Sequence, residues 1–259
     1  DREWEAQRSS KEHDTTCPWR PQQGRVVIVM NNFGHVLLTG GTGRLGRELC
    51  QLLPGIVAPG RSELDVTKPE TIAAAIFRYR PQILVHAAAY TDVARAEQER
   101  DTCWRVNVEG TRNVVKAAME HGLFLVHIST DYVFDGTRGM YREDDPLGPP
   151  RNYYALSKLV AEELVRCAPR HLVIRTSFRP REWPYPVAFV DVYTSQDYVD
   201  IIAPKIARAI IRCTEIPYQT LHIATERKSV YDLARRRRPD VRPGSKREAK
   251  VDLPDDISL

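Results

Sequence analysis

Tyr154 and Lys158 are a tyrosine and a lysine four residues apart, and their types and spacing suggest chemistry. On a helix, this spacing puts both side chains on one face. A tyrosine with its ordinary pKa of about 10 is a poor acid at neutral pH, whereas a neighbouring ammonium group stabilises the phenolate and lowers that pKa. The pair predicts proton transfer by Tyr154. The alternative is two exposed residues that share a helix face by chance.

Hydroxyl and carboxyl groups follow the strand that precedes this helix. Ser129, Thr130 and Asp131 come directly after the apolar run at residues 124–128. Ligands of open α/β sheets bind at the carboxyl ends of the strands. We therefore expect Thr130 to hydrogen-bond a substrate carbonyl group at this edge of the sheet.

A glycine-rich turn lies between the first predicted strand and the first predicted helix. Residues 39–46 read Thr-Gly-Gly-Thr-Gly-Arg-Leu-Gly, and in this context such spacing is typical of dinucleotide-binding proteins. Glycine allows the backbone to approach a pyrophosphate closely, and the helix N-terminus presents N–H groups to that anion. The alternative is a plain glycine-rich turn. The predicted cofactor contacts are Gly40, Gly43, Arg44, Leu45 and Gly46.

The residues after the second predicted strand indicate which dinucleotide is preferred. An acidic side chain at this point would hold the ribose hydroxyls of NAD, but the sequence at residues 59–62 is Pro-Gly-Arg-Ser. Arg61 suits a 2′-phosphate, so NADP(H) is the predicted cofactor and NAD(H) is the alternative. Asp65 is predicted to contact the adenine, and Val66 is a further predicted cofactor contact. The other interpretation of Arg61 is a solvated loop charge.

Alternating strands and helices must position these residues. Buried apolar strands separated by amphipathic helices predict βαβ units and a parallel sheet. The predicted fold is α/β: a Rossmann-like doubly wound parallel sheet with helices on both faces and a small, shortened C-terminal substrate lobe. Short apolar runs predict strands at residues 36–39, 56–58, 83–87, 124–128 and 171–174, and helical spacing predicts long helices over residues 101–121 and 153–167.

The sequence divides into three predicted segments. Residues 1–29 are polar and are predicted to be an extension outside the fold, although residues 25–30 could instead add an edge strand. Residues 30–176 are the predicted dinucleotide-binding domain, and residues 177–259 the predicted substrate lobe. Within that lobe, residues 178–186 are predicted to form a loop, residues 199–211 a helix and the tail from residue 239 an irregular segment.

The composition excludes several classes of protein. The 259 residues carry a net charge of only +4, which gives no sign of nucleic-acid binding. No apolar run approaches the roughly 18 residues that span a bilayer, and no secretory signal is visible. The five cysteines lack CxxC spacing and the seven histidines lack metal-ligand spacing, so we predict no metal site and a reducing, cytoplasmic location.

Several stretches of sequence occur together in one known family. They lie at residues 39–46, 86–91, 105–107, 129–134, 153–158 and 174–177. On these stretches the sequence resembles the extended short-chain dehydrogenase/reductases, and most closely the dTDP-4-dehydrorhamnose reductase group. The resemblance covers about residues 36–177, which is most of the chain. It implies hydride transfer from NADPH to C4 of a nucleotide-activated 4-keto-6-deoxy sugar.

The resemblance also implies a role for each matching residue. Tyr154 would donate a proton to the sugar C4 oxygen, Lys158 would bind the nicotinamide ribose, and Thr130 would hydrogen-bond the reacting oxygen. Asn107 would support Lys158 from a neighbouring helix. The backbone at Ala87, Ala88 and Ala89 would pass along the cofactor, and the side chains of Asp131 and Tyr132 would face the sugar.

The sequence departs from the family after residue 177, where members usually carry a longer segment that shapes the sugar pocket. Trp183 in the shortened segment is a predicted substrate contact, or it packs the loop. The nucleotide sugar is the predicted partner, and a homodimer is considered possible. One alternative is an epimerase or dehydratase of the same fold, although Tyr132 stands where a dehydratase would need the second residue of an acidic pair. The other is a non-catalytic NADP-binding regulatory subunit.

Overall fold

A parallel sheet is at the centre of the part of the chain that this computed structural model describes, residues 36–249 and 253–259. Within these residues, five strands lie side by side and all neighbouring pairs are parallel. Their order is first, second, third, fourth and ninth along the chain. The strands are β1 (Val36–Thr39), β2 (Ile83–His86), β3 (Phe124–Thr130), β4 (His171–Thr176), β5 (Phe178–Arg179), β6 (Val187–Phe189), β7 (Tyr193–Thr194), β8 (Asp197–Tyr198), β9 (Thr220–Ile223), β10 (Lys228–Ser229) and β11 (Arg242–Gly244).

Helices cover both faces of this sheet. One face packs against α1 and α7 and the other against α2, α5 and α6, so each face has its own apolar core. Strands that are buried on both faces are predominantly apolar, which explains the apolar runs of the sequence. The predicted doubly wound α/β fold is confirmed. The helices are α1 (Arg44–Leu52), α2 (Pro69–Tyr79), α3 (Val93–Ala96), α4 (Arg100–Trp104), α5 (Gly110–Glu120), α6 (Tyr153–Arg166), α7 (Val199–Ile211) and α8 (Val230–Arg235).

The strand predicted at residues 56–58 is reduced to a single bridge. Val57 pairs with Leu37 at the edge of β1. Two hydrogen bonds of 2.8 Å form this bridge, from Leu38 N to Val57 O and from Val57 N to Val36 O. Prolines at residues 54 and 59 flank the segment, and proline has no N–H group with which to extend a ladder. The prediction of a full strand was therefore wrong in extent.

The long helix predicted at residues 101–121 is interrupted by one π-helical turn, Arg105–Glu109, between α4 and α5. Asn107 lies in this turn, and both the oxygen and the nitrogen of its side-chain amide form hydrogen bonds. Its Oδ1 accepts from Tyr90 N at 2.7 Å, and its Nδ2 donates to Tyr90 O at 3.1 Å and to Ser157 Oγ at 2.9 Å. Such turns are frequent at functional sites, and this one fixes α6 at the residue before Lys158.

The C-terminal part of the chain contributes to the central sheet as well as to a lobe of its own. β9 pairs with β4, and α7 packs on the same face as α1. The lobe contains the strand pairs β5–β8, β6–β11 and β7–β10. The segment predicted as a loop thus includes β5, and the tail predicted as irregular includes β11 and a 3-10 turn at Lys246–Glu248. The domain limits at residues 176 and 177 remain a prediction.

Some sequence predictions concern residues or features that the structure does not show. The predicted extension at residues 1–29 and the alternative edge strand at residues 25–30 lie outside the described residues. In the described part of the chain, no helix has the length and apolar character needed to cross a membrane. The same residues contain no group of three or more His, Cys, Asp or Glu side chains arranged to hold a metal ion.

Candidate active site

Thr130 and Asp131 lie where β3 passes into a single 3-10 turn, Asp131–Val133. Thr130 caps this turn, because its hydroxyl oxygen accepts a hydrogen bond from Tyr132 N at 3.3 Å. The same hydroxyl donates to Asp131 Oδ1 at 3.0 Å, and it lies close enough to Tyr154 to affect the pKa of that phenol. Asp131, Thr130 and Tyr154 therefore lie close together at the end of β3.

Tyr154 and Lys158 project from the first two turns of α6. The helix begins where Asn152 caps it, since Asn152 Oδ1 accepts from Ala155 N at 2.8 Å. Both side chains are buried, and the residues have relative exposures of 8% and 3%. The Tyr132 ring packs edge-on against the Tyr154 ring, with 5.9 Å between the centroids. The two residues of the predicted pair thus lie at the carboxyl edge of β3.

Tyr154 is protonated at neutral pH in this geometry. Burial has the largest effect on its pKa and raises it above the ordinary value for tyrosine. The hydroxyl of Thr130 acts in the opposite direction, and the charge of Asp131 raises the pKa further. The shift is therefore opposite to the one predicted from the neighbouring Lys158. A phenol that keeps its proton is suited to act as a proton donor.

The ammonium group of Lys158 is held by two groups of β3. Its Nζ donates to Ile128 O at 2.9 Å and lies 3.3 Å from His127 Nε2. Burial lowers the pKa of Lys158 to about 8, while the charge of Glu162, one helical turn further along α6, opposes this shift. Lys158 therefore loses its proton at a lower pH than an ordinary lysine.

Asp131 is a second titratable group beside Thr130 and Tyr154. Burial raises its pKa to about 6, against the hydrogen bonds with Thr130 and Ser177 and the charge of Arg179. Ser177 and Arg179 follow β4 and are two residues apart, so in an extended segment they share one face. The sequence reasoning missed both residues. Their alternation directly after a predicted strand is the signal that would have found them.

A buried ion pair lies beneath these groups. Glu162 on α6 is fully buried, and Arg175 on β4 is 1% exposed. Arg175 Nη2 donates to Glu162 Oε1 at 2.6 Å, and Ser129 Oγ donates to Glu162 Oε2 at 2.8 Å. These contacts tie α6 to β3 and β4 and thereby fix the helix that carries Tyr154. The sequence analysis did not single out either partner.

The glycine-rich turn packs so tightly that side chains do not fit. Gly40 has a φ of +76°, and a Cβ there would lie 2.7 Å from Ala88 N. A Cβ at Gly46 would lie 2.2 Å from Gly40 O. α1 then starts after Gly43, and no side chain caps its N-terminus. The N–H groups of that first turn are therefore available to an anion, which fits the pyrophosphate of a dinucleotide.

The other predicted cofactor residues surround this turn in different ways. Ala87, Ala88 and Ala89 are half-buried after β2, and Ala88 N donates to Thr39 Oγ1 at 3.2 Å. Val66 is buried beneath α2 and α5, so its side chain belongs to the core. Arg44 is exposed in the first turn of α1, whereas the Leu45 side chain is buried in the core.

Arg61 and Asp65 lie at the predicted adenosine end and contact each other. The Arg61 side chain is 74% exposed, and its Nε lies 3.3 Å from Asp65 Oδ2. Partial burial opposes ionisation of Asp65, but hydrogen bonds from Thr67 and Arg61 outweigh it and hold the pKa below its ordinary value. Asp65 Oδ1 also accepts from Thr67 N at 3.0 Å. The Asp65 carboxylate thus accepts hydrogen bonds mainly from its own turn, and the Arg61 guanidinium remains accessible to solvent.

Trp183 is buried in the core of the C-terminal lobe. It is 6% exposed and packs in one cluster with Ala188, Val192 and Tyr198. Its Nε1 is buried without a hydrogen-bond partner among the described residues, and Arg179 lies 5.4 Å from its ring centroid. The role of Trp183 as a substrate contact remains a prediction.

This combination of fold and site defines an α/β protein of the short-chain dehydrogenase/reductase type. Residues 34–236 match the model of the RmlD substrate binding domain, so the chain belongs to that family.

Comparison with known proteins gives the same assignment. The chain is 34% identical to dTDP-4-dehydrorhamnose reductase of Aggregatibacter actinomycetemcomitans over 183 residues, which are 67% of this chain and 62% of that protein. It is 42% identical to the Streptomyces griseus enzyme of the same name over 134 residues, 50% of this chain and 44% of that one. The chain thus spans less than two thirds of these relatives. The crystal structure of a Bacillus anthracis dTDP-4-dehydrorhamnose reductase in complex with NADP superposes with a TM-score of 0.78 at 29% identity, covering 87% of this chain and 90% of that one.

Proposed function

We propose that this chain is an NADP(H)-dependent reductase that transfers hydride to C4 of a nucleotide-activated 4-keto-6-deoxy sugar. The observation that carries the proposal is that Thr130, Tyr154 and Lys158 lie together at the end of β3, with Lys158 one turn after Tyr154 along α6. These groups lie at the carboxyl edge of a parallel sheet, where such folds bind their ligands. Two relatives that carry the name dTDP-4-dehydrorhamnose reductase support the substrate class.

The glycine-rich turn and the uncapped N-terminus of α1 support the dinucleotide. Gly40, Gly43 and Gly46 would hold the pyrophosphate, because their backbone approaches closely and the helix N-terminus favours an anion. The exposed guanidinium of Arg61 would pair with the 2′-phosphate of NADP(H), and NAD(H) remains the alternative cofactor. A Bacillus anthracis structural relative has been crystallised with NADP.

The bound dinucleotide would supply the hydride, and the residues of the chain would supply the proton. Tyr154 would donate its proton to the C4 oxygen, and Thr130 would orient that oxygen through its hydroxyl. The high pKa of Tyr154 keeps the phenol protonated before the reaction. The cation of Lys158 would then stabilise the phenolate as the proton leaves. Asp131 and Tyr132 lie beside these groups and would contact the sugar.

The test mixes purified protein with NADPH and a panel of 4-keto nucleotide sugars while the absorbance of the reduced nicotinamide is followed. We expect oxidation of NADPH by the wild type and its loss in Tyr154→Phe. Tyr153→Phe is the matched control, because this neighbouring ring packs against Trp104 and Arg100 on the outside of the helix. Conversion of a sugar without net oxidation of NADPH would instead indicate an epimerase or dehydratase. Cofactor binding without any turnover would support the regulatory subunit.

We also propose a homodimer and a cytoplasmic location. The described cysteines Cys50, Cys103, Cys167 and Cys213 are free thiols, as expected in a reducing compartment such as the cytoplasm.

Light scattering coupled to size-exclusion chromatography would test the proposed homodimer directly. A mass of one chain, 29.6 kDa, would contradict the dimer.

A further inference from the structure

A row of buried polar side chains crosses the sheet one strand at a time. Thr39 on β1 pairs in register with His86 on β2, and His86 pairs with His127 on β3. All three residues are at most 1% exposed. The imidazole rings of His86 and His127 lie 5.2 Å apart. The row connects the start of the glycine-rich turn with the strand that holds Lys158.

The hydrogen bonds of His86 fix it as a neutral ring. Thr111 Oγ1 donates its only proton to Asn107 O at 2.5 Å, so it must accept from His86 Nε2 at 3.0 Å. His86 Nδ1 is then the acceptor for the Thr39 hydroxyl at 2.9 Å. Burial lowers the pKa of His86 to about 3, which agrees with this assignment. Both nitrogens of His86 are therefore occupied by neutral partners.

The contacts of His127 differ from those of His86, because one nitrogen of His127 faces a cation. Lys158 Nζ lies 3.3 Å from His127 Nε2, and an ammonium group can only donate. His127 must therefore be neutral and offer its lone pair at Nε2. Burial and the charge of Lys158 both lower the pKa of His127, which keeps the ring in that form. Its Nδ1 is buried without a partner among the described residues, so contact with Lys158 is the one polar role that the ring fulfils there.

We propose that His127 is a positioning residue for Lys158, and that its Nε2 accepts a hydrogen bond that holds the ammonium group at the floor of the active site. The carbonyl of Ile128 provides the other acceptor at 2.9 Å. Together they keep a charged amine in a place where burial alone would deprotonate it. The link to catalysis rests on the proposed function, whereas the hydrogen bond itself does not.

Few other groups near Lys158 can carry charge. His86 faces it from β2 and is neutral, and the Cys103 thiol faces it from α4, where burial raises the thiol pKa. Glu162 follows on α6 itself and favours the charged lysine, but Arg175 already pairs with it. Among the described residues, none of these groups replaces the acceptor that is lost with His127.

The test measures the pKa of Lys158 by nuclear magnetic resonance. Lysine labelled with ¹³C at Cε reports the titration, and Lys158→Met identifies the signal. In His127→Gln, the amide oxygen lies about as far from the backbone as Nε2 and can still accept from Lys158. In His127→Asn, the side chain is shorter, so its amide oxygen does not reach Lys158. We expect the pKa of Lys158 to fall by about one unit in His127→Asn, equivalent to about 1.4 kcal/mol, and to stay near the wild-type value in His127→Gln.

His171→Asn is the control for removal of a buried histidine from the same sheet. The His171 ring bonds Ala168 O at 2.6 Å instead, so this variant should leave the pKa of Lys158 unchanged. Circular dichroism confirms that each variant is folded. Equal Lys158 titration curves for the wild type and His127→Asn would overturn the proposal, as would equal curves for the Gln and Asn variants with both shifted.

Turnover gives a second readout that separates this proposal from the proposed function. If the enzyme needs the charged Lys158, the alkaline limb of kcat should move to lower pH in His127→Asn, while KM for the sugar stays constant. A wild type that turns over none of the sugars would refute the proposed function. The resonance titration would still decide whether His127 holds Lys158.

Discussion

Replacement of Glu162 by glutamine tests whether the buried ion pair holds the site in place. Glutamine has nearly the same shape but no charge, so the change removes the charge on Glu162 and leaves Arg175 buried. Arg175 Nε lies 3.1 and 3.3 Å from the two oxygens of Glu162, and its Nη2 is 2.6 Å from Oε1. The substituted amide would also direct N–H groups at these donors or at Ser129.

The expected loss is large because both partners are buried. Glu162 is 0% exposed and Arg175 1%, and breaking such a pair costs about 3–5 kcal/mol since one charge remains without compensation. For a domain of this size, one kcal/mol corresponds to roughly 2–4 °C in Tm. We therefore expect Tm to fall by about 6–20 °C. Thermal unfolding followed by circular dichroism at neutral pH measures this difference.

The pH dependence supplies an independent check on the same residue. Burial opposes ionisation of Glu162, but hydrogen bonds and charge from Arg175, with help from Ser129 and Arg166, outweigh it and lower its pKa. A lowered pKa in the folded state contributes stability above the unfolded value of about 4.3 and loses it as the pH falls through the folded value. The stability difference between wild type and Glu162→Gln should therefore shrink in acid.

Glu163→Gln is the matched control. This neighbouring side chain is 55% exposed and pairs only at the surface with Arg166, at 3.2 Å, so its loss should change stability by less than about 1 kcal/mol. Equal melting temperatures for the Glu162 and Glu163 variants would refute the reasoning. So would a difference that grows in acid.

Three further predictions concern ligand binding. Gly46→Ala should abolish tight NADPH binding in a fluorescence titration, because a Cβ there would lie 2.2 Å from Gly40 O, within the glycine-rich turn. Binding equal to that of the wild type would contradict the proposal that this turn holds the pyrophosphate. Arg61→Ala should lower the ratio of NADPH to NADH affinity by about tenfold or more, as expected for loss of a hydrogen bond to a charged group; an unchanged ratio would remove Arg61 from the 2′-phosphate site. Arg179→Gln should raise KM for the nucleotide sugar, because the buried Arg179 Nε has no hydrogen-bond partner among the described residues and is available to the substrate. Arg181→Gln is the control and should leave KM unchanged, because Arg181 already pairs with Glu48 at 2.8 Å. Equal KM values for the two variants would exclude Arg179 from binding.

The sequence was sufficient to predict the elements that depend on local pattern. The apolar runs predicted β1, β2, β3 and β4 closely, and β3 and β4 each extend only two residues beyond the predicted run. The cap at Asn152 and the residues that follow it place α6 within one residue of the predicted helix. Such elements are predictable because their hydrophobic period and end signals lie within one short window.

The features that the sequence did not reveal depend on partners far apart in the chain. His127 looks like an isolated polar residue within an apolar run, and Glu162 looks like one of two adjacent helix carboxylates. The partners of both residues become neighbours only when β3, β4 and α6 pack together. The direction of the Tyr154 pKa shift was predicted wrongly for the same reason. The spacing shows a lysine four residues away, but it does not show that burial dominates the shift and that β3 holds the ammonium group.

One face of α6 joins these observations, because Tyr154, Lys158, Glu162 and Arg166 follow each other at intervals of four residues. Successive turns of this face carry the proposed proton donor Tyr154, the cation of Lys158, the buried anchor Glu162 and the partially exposed Arg166. The anchor at Glu162 fixes the rotation of the helix, since Arg175 and Ser129 bind it from two neighbouring strands. A rotation that released Glu162 would also move Lys158 away from His127 and Ile128. The stability of the ion pair and the position of the proposed catalytic groups therefore depend on the same helix, and Glu162→Gln should lower kcat even under conditions where the variant remains fully folded.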